Sequence, residues 1–166
     1  MRIWQDFQDK LALNFIMNSY EAVALVNLGR INDADRLIKK ALGDRQEDLG
    51  GLLTSARAIL LARQGDRSGA EEAIKEALNH RHDFGHSHHA LYNIASAYAL
   101  LNQQDKALQS LRDAAADGFP CFPFFQVDKN LKNLSQNEEF KVFLAQQKKI
   151  HEGYKRELGK TSSTGG

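Results

Sequence analysis

Apolar residues recur along this chain with the period of an α-helix. The pattern is cleanest in Leu91–Ala115, where Ala95, Tyr98 and Leu101 follow one another at 3-residue steps and Ala107, Leu111 and Ala114 at steps of 4 and 3. Both stripes fit 3.6 residues per turn, so the stretch predicts two antiparallel helices with a short turn near Asn102. The small residues carry as much information as the large ones. Ala95 and Ala107 stand where two helix backbones must approach closely, with Leu111 filling the space beside them.

The same pattern occurs three times in one register. Ala34, Ala70 and Ala107 are 36 and 37 residues apart. Four positions after each come Ile38, Ile74 and Leu111, and seven after come Ala41, Ala77 and Ala114. Five before each lie Gly29, Gly65 and Asn102, nine before lie Leu25, Leu61 and Tyr98, and twelve before lie Ala22, Ala58 and Ala95. Unrelated helical hairpins would not keep one register, so this is an internal repeat. Gly29, Gly65 and Asn102 tolerate the left-handed backbone that closes a helix. Asp33 and Asp66 fall at the following helix starts, where an acid suits the dipole.

Either side of the repeats the pattern changes. Trp4, Phe7, Leu11 and Phe15 predict an amphipathic N-terminal helix over residues 1–14 that can run into the first repeat. At 117–127 Gly118, Pro120 and Pro123 end the helical run, and four phenylalanines in seven residues are too apolar for a solvated loop, so they are expected to fold back on the last repeat. Asp128 is placed to cap a short helix holding Leu131 and Leu134. Asn137 is placed to cap a longer one with Phe140, Phe143, Leu144, Gln147, Ile150, Tyr154 and Leu158 on one face. The divisions are thus 15–50, 51–87 and 88–120 for the repeats, 121–158 for the aromatic turn and capping helices, and 159–166 for a flexible tail, with 1–158 as one domain. The expected fold is all-α, a solenoid of tandem helical hairpins with a C-terminal capping helix, since stacked hairpins need a terminal helix over the exposed end.

Composition narrows the function classes. Among 166 residues, 22 basic and 21 acidic side chains leave a formal charge of +1, which gives no basis for nucleic-acid or membrane binding. The lone Cys121 excludes an internal disulfide and fits a reducing compartment. No apolar run is long enough to span a bilayer and the N-terminus has no apolar signal core, so the expected location is cytoplasmic.

The three segments Gly29-x4-Ala34-x3-Ile38-x2-Ala41, Gly65-Asp66-x3-Ala70-x3-Ile74-x2-Ala77-Leu78 and Ala95-x2-Tyr98-x8-Ala107-x3-Leu111-x2-Ala114 resemble the tetratricopeptide repeat family over roughly residues 15–120. The family's usual Trp, Leu-Gly and closing Pro are mostly missing here. A second resemblance covers about residues 83–145: Asp83-Phe-Gly-His-Ser-His-His89, Tyr92-x-Ile-Ala-x-Ala-Tyr-Ala-Leu-Leu101, Gly118-Phe-Pro-Cys-Phe-Pro123 and Asp128-x2-Leu-x2-Leu134 are similar to the C-terminal repeat region of large bacterial signalling proteins, where it follows a kinase or winged-helix domain. The chain has no kinase or nucleotide-binding motif of its own. The resemblance implies a protein-interaction scaffold or sensor module without catalysis or cofactor, acting on a protein or peptide partner as a monomer or weak homodimer.

In such folds the first helix of each hairpin lines a concave face that binds peptides. Counting from the anchor alanines, the inward residues are Ser19, Val23, Val26 and Asn27, then Ser55, Ile59, Ala62 and Arg63, then His89, Tyr92, Ser96 and Ala99. Asn27, Ser55, Ile59, Arg63, His89, Tyr92 and Ser96 are the candidate peptide-binding residues, with Arg63 and Tyr92 expected to face solvent. The family's carboxylate clamp needs more Lys and Asn than Arg63 and Asn27 supply, so an apolar or mixed segment suits this lining better.

One cluster gives a second reading. His80, His82, His86, His88 and His89 fall within ten residues, and imidazole suits zinc, copper or nickel. They are the candidate ligands of a metal-responsive or metal-bridged module, weighed against a polar turn with one or two histidines packed between repeats. Cys121 has no base beside it and is expected to be a small buried residue. The charges on the last helix are expected to form a solvated face.

Overall fold

The computed structural model describes residues 16–43, 48–80 and 87–162, which are helical with no strand among them. Helix α1 covers 16–27, followed by α2 (Ile31–Gly43), a 3₁₀ turn at Leu49–Gly51, α3 (Leu52–Gln64) and α4 (Arg67–His80). After residues 81–86 come α5 (Ser87–Leu100), α6 (Gln104–Ala116), the short α7 (Phe122–Val127), a 3₁₀ turn at Lys129–Leu134 and α8 (Glu138–Ser162). The N-terminal helix expected at 1–14 lies outside the described residues. No described helix is long and apolar enough to cross a membrane.

The three glycine-type positions adopt one local geometry. Gly29, Gly65 and Asn102 have φ of 75°, 80° and 59°. At each, two N–H groups reach back to carbonyls of the preceding helix: Gly29 to Val26 and Arg30 to Leu25, Gly65 to Ala62 and Asp66 to Leu61, Asn102 to Ala99 and Gln103 to Tyr98. This pair of bonds satisfies carbonyls that a helix end leaves open, and it requires the left-handed residue the sequence supplies. Each helix then folds back after a two- or three-residue break. The Asp66 carboxylate accepts from the Gly69 N–H at 2.9 Å and starts α4. The anchor alanines Ala34, Ala70 and Ala107, with Ala22, Ala58 and Ala95, are fully buried, so the close approaches occur where the small side chains stand.

Gly51 has a different duty. Its φ is 69°, and a Cβ added there would stand 2.5 Å from the Ala77 carbonyl oxygen. The start of α3 thus presses on the end of α4. Asp48 completes the corner by accepting from the Leu53 and Thr54 N–H groups at 2.9 and 2.8 Å.

Two apolar cores meet at α5. Ala90, Ile94 and Ala97 pack with α1–α4, whereas Leu91, Tyr92, Ala95 and Ala99 pack with α6, Phe125, Leu131, Leu134, Phe140 and Phe143. Nine of the fourteen α5 residues are buried, which leaves this helix without a solvated face.

The helical run ends at Ala116 as expected, and Pro123 then falls in the first turn of α7, which needs no N–H from it. Beyond that break the C-terminal region departs from expectation in three ways. Of the phenylalanines, Phe125 is buried and Phe119 and Phe122 are half-buried, but Phe124 is 40% exposed. The α8 stripe is buried at Phe140, Phe143 and Gln147 and then emerges, with Ile150 41%, Tyr154 55% and Leu158 68% exposed. The stretch read as a tail is helical as far as Ser162. Asp128 and Asn137 do cap as expected, accepting from the Asn130 and Phe140 N–H groups.

Gly65 has nothing within 4 Å of an added Cβ, so Gly65→Ala adds backbone strain alone, about 1 kcal/mol. Gly51→Ala adds a clash with backbone to the same strain and should cost roughly 3 kcal/mol. Urea denaturation of both variants measures the difference, and equal midpoints would contradict the close α3–α4 contact.

Candidate functional site

The face shared by α1, α3 and α5 is occupied by the chain itself. The 3₁₀ turn Lys129–Leu134 packs against α5 and carries Asn130, which is 2% exposed, to the centre of that face. The Asn130 side-chain N–H donates to Asn27 Oδ1 at 2.9 Å, and its Oδ1 accepts from Arg63 Nη2 at 2.7 Å. One amide thus joins α1 and α3. On α5 the Tyr92 hydroxyl donates to Asp128 Oδ2 at 2.5 Å, while Asp128 Oδ1 takes the Asn130 backbone N–H at 2.9 Å. Asn133 Nδ2 donates to the Ala99 carbonyl, and Gln104 Nε2 to the Asn133 carbonyl, both at 3.0 Å. The buried groups among them, the Asn130 amide and the Tyr92 hydroxyl, would otherwise lack a partner away from water.

The candidate residues therefore divide. Asn27, Arg63 and Tyr92 converge on Asp128 and Asn130. Ser55, Ile59 and Ser96 lie on the same face but are buried, with Ser55 Oγ accepting from Asn93 Nδ2 at 3.1 Å. Tyr92 is only 6% exposed, which corrects its expected solvent exposure: the rings of Phe119, Phe124 and Phe125 and the Asp128 carboxylate cover it. Arg63 is exposed as expected, although its guanidinium end is bound. Burial, with the Asp128 carboxylate as a second cause, pushes the Tyr92 hydroxyl far above the usual tyrosine range.

From the sequence Asp128 is expected as a cap and as part of a resemblance motif, not as a partner of Tyr92, and Asn130, Asn133 and Gln104 are not singled out. A signal was present. Asn130 and Asn133 are three residues apart, as are Leu131 and Leu134, and a 3₁₀ helix with three residues per turn aligns each pair on its own edge.

His89 packs in an aromatic row. Its ring lies 5.5 Å from Tyr20 and 5.4 Å from Phe119, and Phe119 in turn lies 5.3 Å from Tyr92 and 6.2 Å from Phe124. His88 stacks on Phe119 at 6.1 Å and has Nδ1 3.6 Å from an Asp117 oxygen. His80 ends α4 at the surface, and His82 and His86 lie outside the described residues. Among the described residues no three His, Cys, Asp or Glu side chains are grouped to hold a metal ion. Cys121 is half-buried at the start of α7. Chemically the site is a set of amide, guanidinium and phenol groups that hold the chain's own Asp128 and Asn130. Neither family models, curated proteins nor solved structures contain a match to this chain.

Tyr92 ties stability to alkaline pH. Its folded pKa is raised, so its contribution is complete below the unfolded tyrosine value, about pH 10, and declines as pH rises beyond it. Tyr92→Phe should lower stability near neutrality by about 2 kcal/mol, since Asp128 loses a buried donor. It should also flatten the alkaline decline, leaving the smaller parts from Tyr20 and Tyr98, whose values burial also raises. Chemical denaturation across pH reads both effects, and an unchanged alkaline slope would exclude Tyr92 as its main source.

A His88→Ala/His89→Ala variant should melt lower than the wild type by the same margin in chelator and in zinc, because ring packing is lost and not a metal. A margin that widens in zinc would make these histidines ligands.

Proposed function

We propose that this chain is a protein–protein interaction scaffold or sensor module of the tetratricopeptide type. In this reading α1–α2, α3–α4 and α5–α6 are three stacked hairpins of a solenoid, α8 is the cap, and the concave face of α1, α3 and α5 holds a peptide without catalysis. The observation that carries it is the Asn130 amide, held between Asn27 and Arg63. A face that grips one polypeptide segment through side-chain amide and guanidinium groups has the chemistry to grip another. The turn 129–134 is then an internal ligand, and a partner segment competes with it for Arg63 and Asn27.

The test supplies that ligand from outside. A fluorescent peptide of residues 126–136 should bind the Asn130→Ala chain, whose own turn is loosened, and bind the wild type at least about tenfold more weakly. Adding Arg63→Ala to the Asn130→Ala chain should weaken binding about tenfold, the value of a charged hydrogen bond. Circular dichroism checks that both variants remain helical. Failure of the peptide to bind the folded Asn130→Ala chain would end the groove reading.

A further inference from the structure

The turn that fills the concave face has a second working edge. Lys129, Lys132 and Ser135 follow the same three-residue step as Asn130 and Asn133 but look into a pocket of about 340 Å³, bounded by α7, the turn and the first turns of α8. The pocket's inner wall is apolar, from Phe125, Leu131 and Phe140, each nearly fully buried, with half-buried Leu144 beside them. Its rim is basic, carrying Lys129, Lys132 and Lys141.

The charge there is one-sided. Asp128 is the only acid lining the pocket, and both its oxygens are turned to Tyr92 and the Asn130 N–H. Lys141 is held by Glu138 at 2.7 Å. Lys129 and Lys132 make no ion pair among the described residues, although the chain as a whole has a net charge of only +1. Two uncompensated ammonium groups over an apolar floor match a ligand with the opposite arrangement, a bulky apolar group between carboxylates. The volume takes one large side chain. A membrane surface is a poorer match, because lipid attraction uses a larger basic cluster on a surface that can lie flat on the headgroups.

We propose that this pocket docks an acidic peptide segment carrying one bulky apolar side chain, with that side chain on Phe125, Leu131 and Phe140 and flanking carboxylates at Lys129 and Lys132. The proposal rests on reading the chain as a protein-interaction module, but it uses none of the concave-face residues Asn27, Arg63 or Tyr92. Binding here therefore does not require the turn to leave its place.

The probes are a fluorescent peptide of Asp and Glu around a central Phe, its Asn/Gln counterpart, and its Phe→Ala counterpart, each titrated by anisotropy into the full chain. The acidic Phe peptide should bind saturably and weaken as salt rises. The other two peptides should each bind about tenfold more weakly, as should a Lys129→Glu/Lys132→Glu chain with the acidic Phe peptide. Both lysines are exposed, so this variant should keep its melting temperature. Leu144→Glu, which puts a carboxylate at the apolar wall, is the second variant and should also weaken binding. Equal affinity for the acidic and amide peptides, or no change on lysine reversal, would overturn the proposal. So would co-sedimentation with phosphatidylserine vesicles that the lysine reversal abolishes, in the absence of peptide binding. Arg63→Ala should leave this affinity unchanged, which separates the fate of the pocket from that of the concave face.

Discussion

The burial of α5 on two sides is the constraint around which the molecule is arranged. A helix with one apolar stripe needs one neighbour, whereas a helix with no solvated face needs partners all round. The Ala90, Ile94 and Ala97 side is answered by α3 and the earlier helices, and the Leu91, Tyr92, Ala95 and Ala99 side by α6 and the C-terminal segments. Removing residues after Ala116 would therefore expose a core rather than trim an appendage: Tyr92 would lose Phe125 and Asp128, and Ala99 would lose the Asn133 amide at its carbonyl.

Polar groups inside such a core set its geometry more sharply than apolar ones do. Leucines tolerate small shifts, but Asn130 satisfies Asn27 and Arg63 only from one position. Asp128 adds a second fixed point by holding the Tyr92 hydroxyl with one oxygen and the start of the turn with the other. The two residues between them fix where the segment crosses the helices, and so fix which edge of it faces outward with Lys129 and Lys132.

Local features were legible in the sequence wherever chemistry and spacing agreed. The three left-handed positions, the buried alanines, the caps at Asp128 and Asn137 and the break at Gly118 are all consequences of backbone rules acting within a few residues. Tyr92 was different. It was counted onto one face with Asn27 and Arg63, but its burial depends on Phe119, Phe124, Phe125 and Asp128, which belong to segments later in the chain. Periodicity places a residue on a side of its own helix and contains nothing about what else will lie there. The same limit applies to α8, where Ile150, Tyr154 and Leu158 continue the stripe of Phe140 and Phe143 but are exposed among the described residues.

The bond between Asn27 and Asn130 joins residues 103 positions apart. Such a contact is among the last that a growing chain can make, because the ordering cost of closing a long loop must be met before the contact forms. Synthesis runs from α1 toward α8, so α1, α3 and α5 exist for a period before the residue that seals their shared face has been added. A nascent chain that stops short of Asn130 carries Asn27 and Arg63 without their amide. The closed face is thus a property of the finished polypeptide, and the open one belongs to its own biosynthesis.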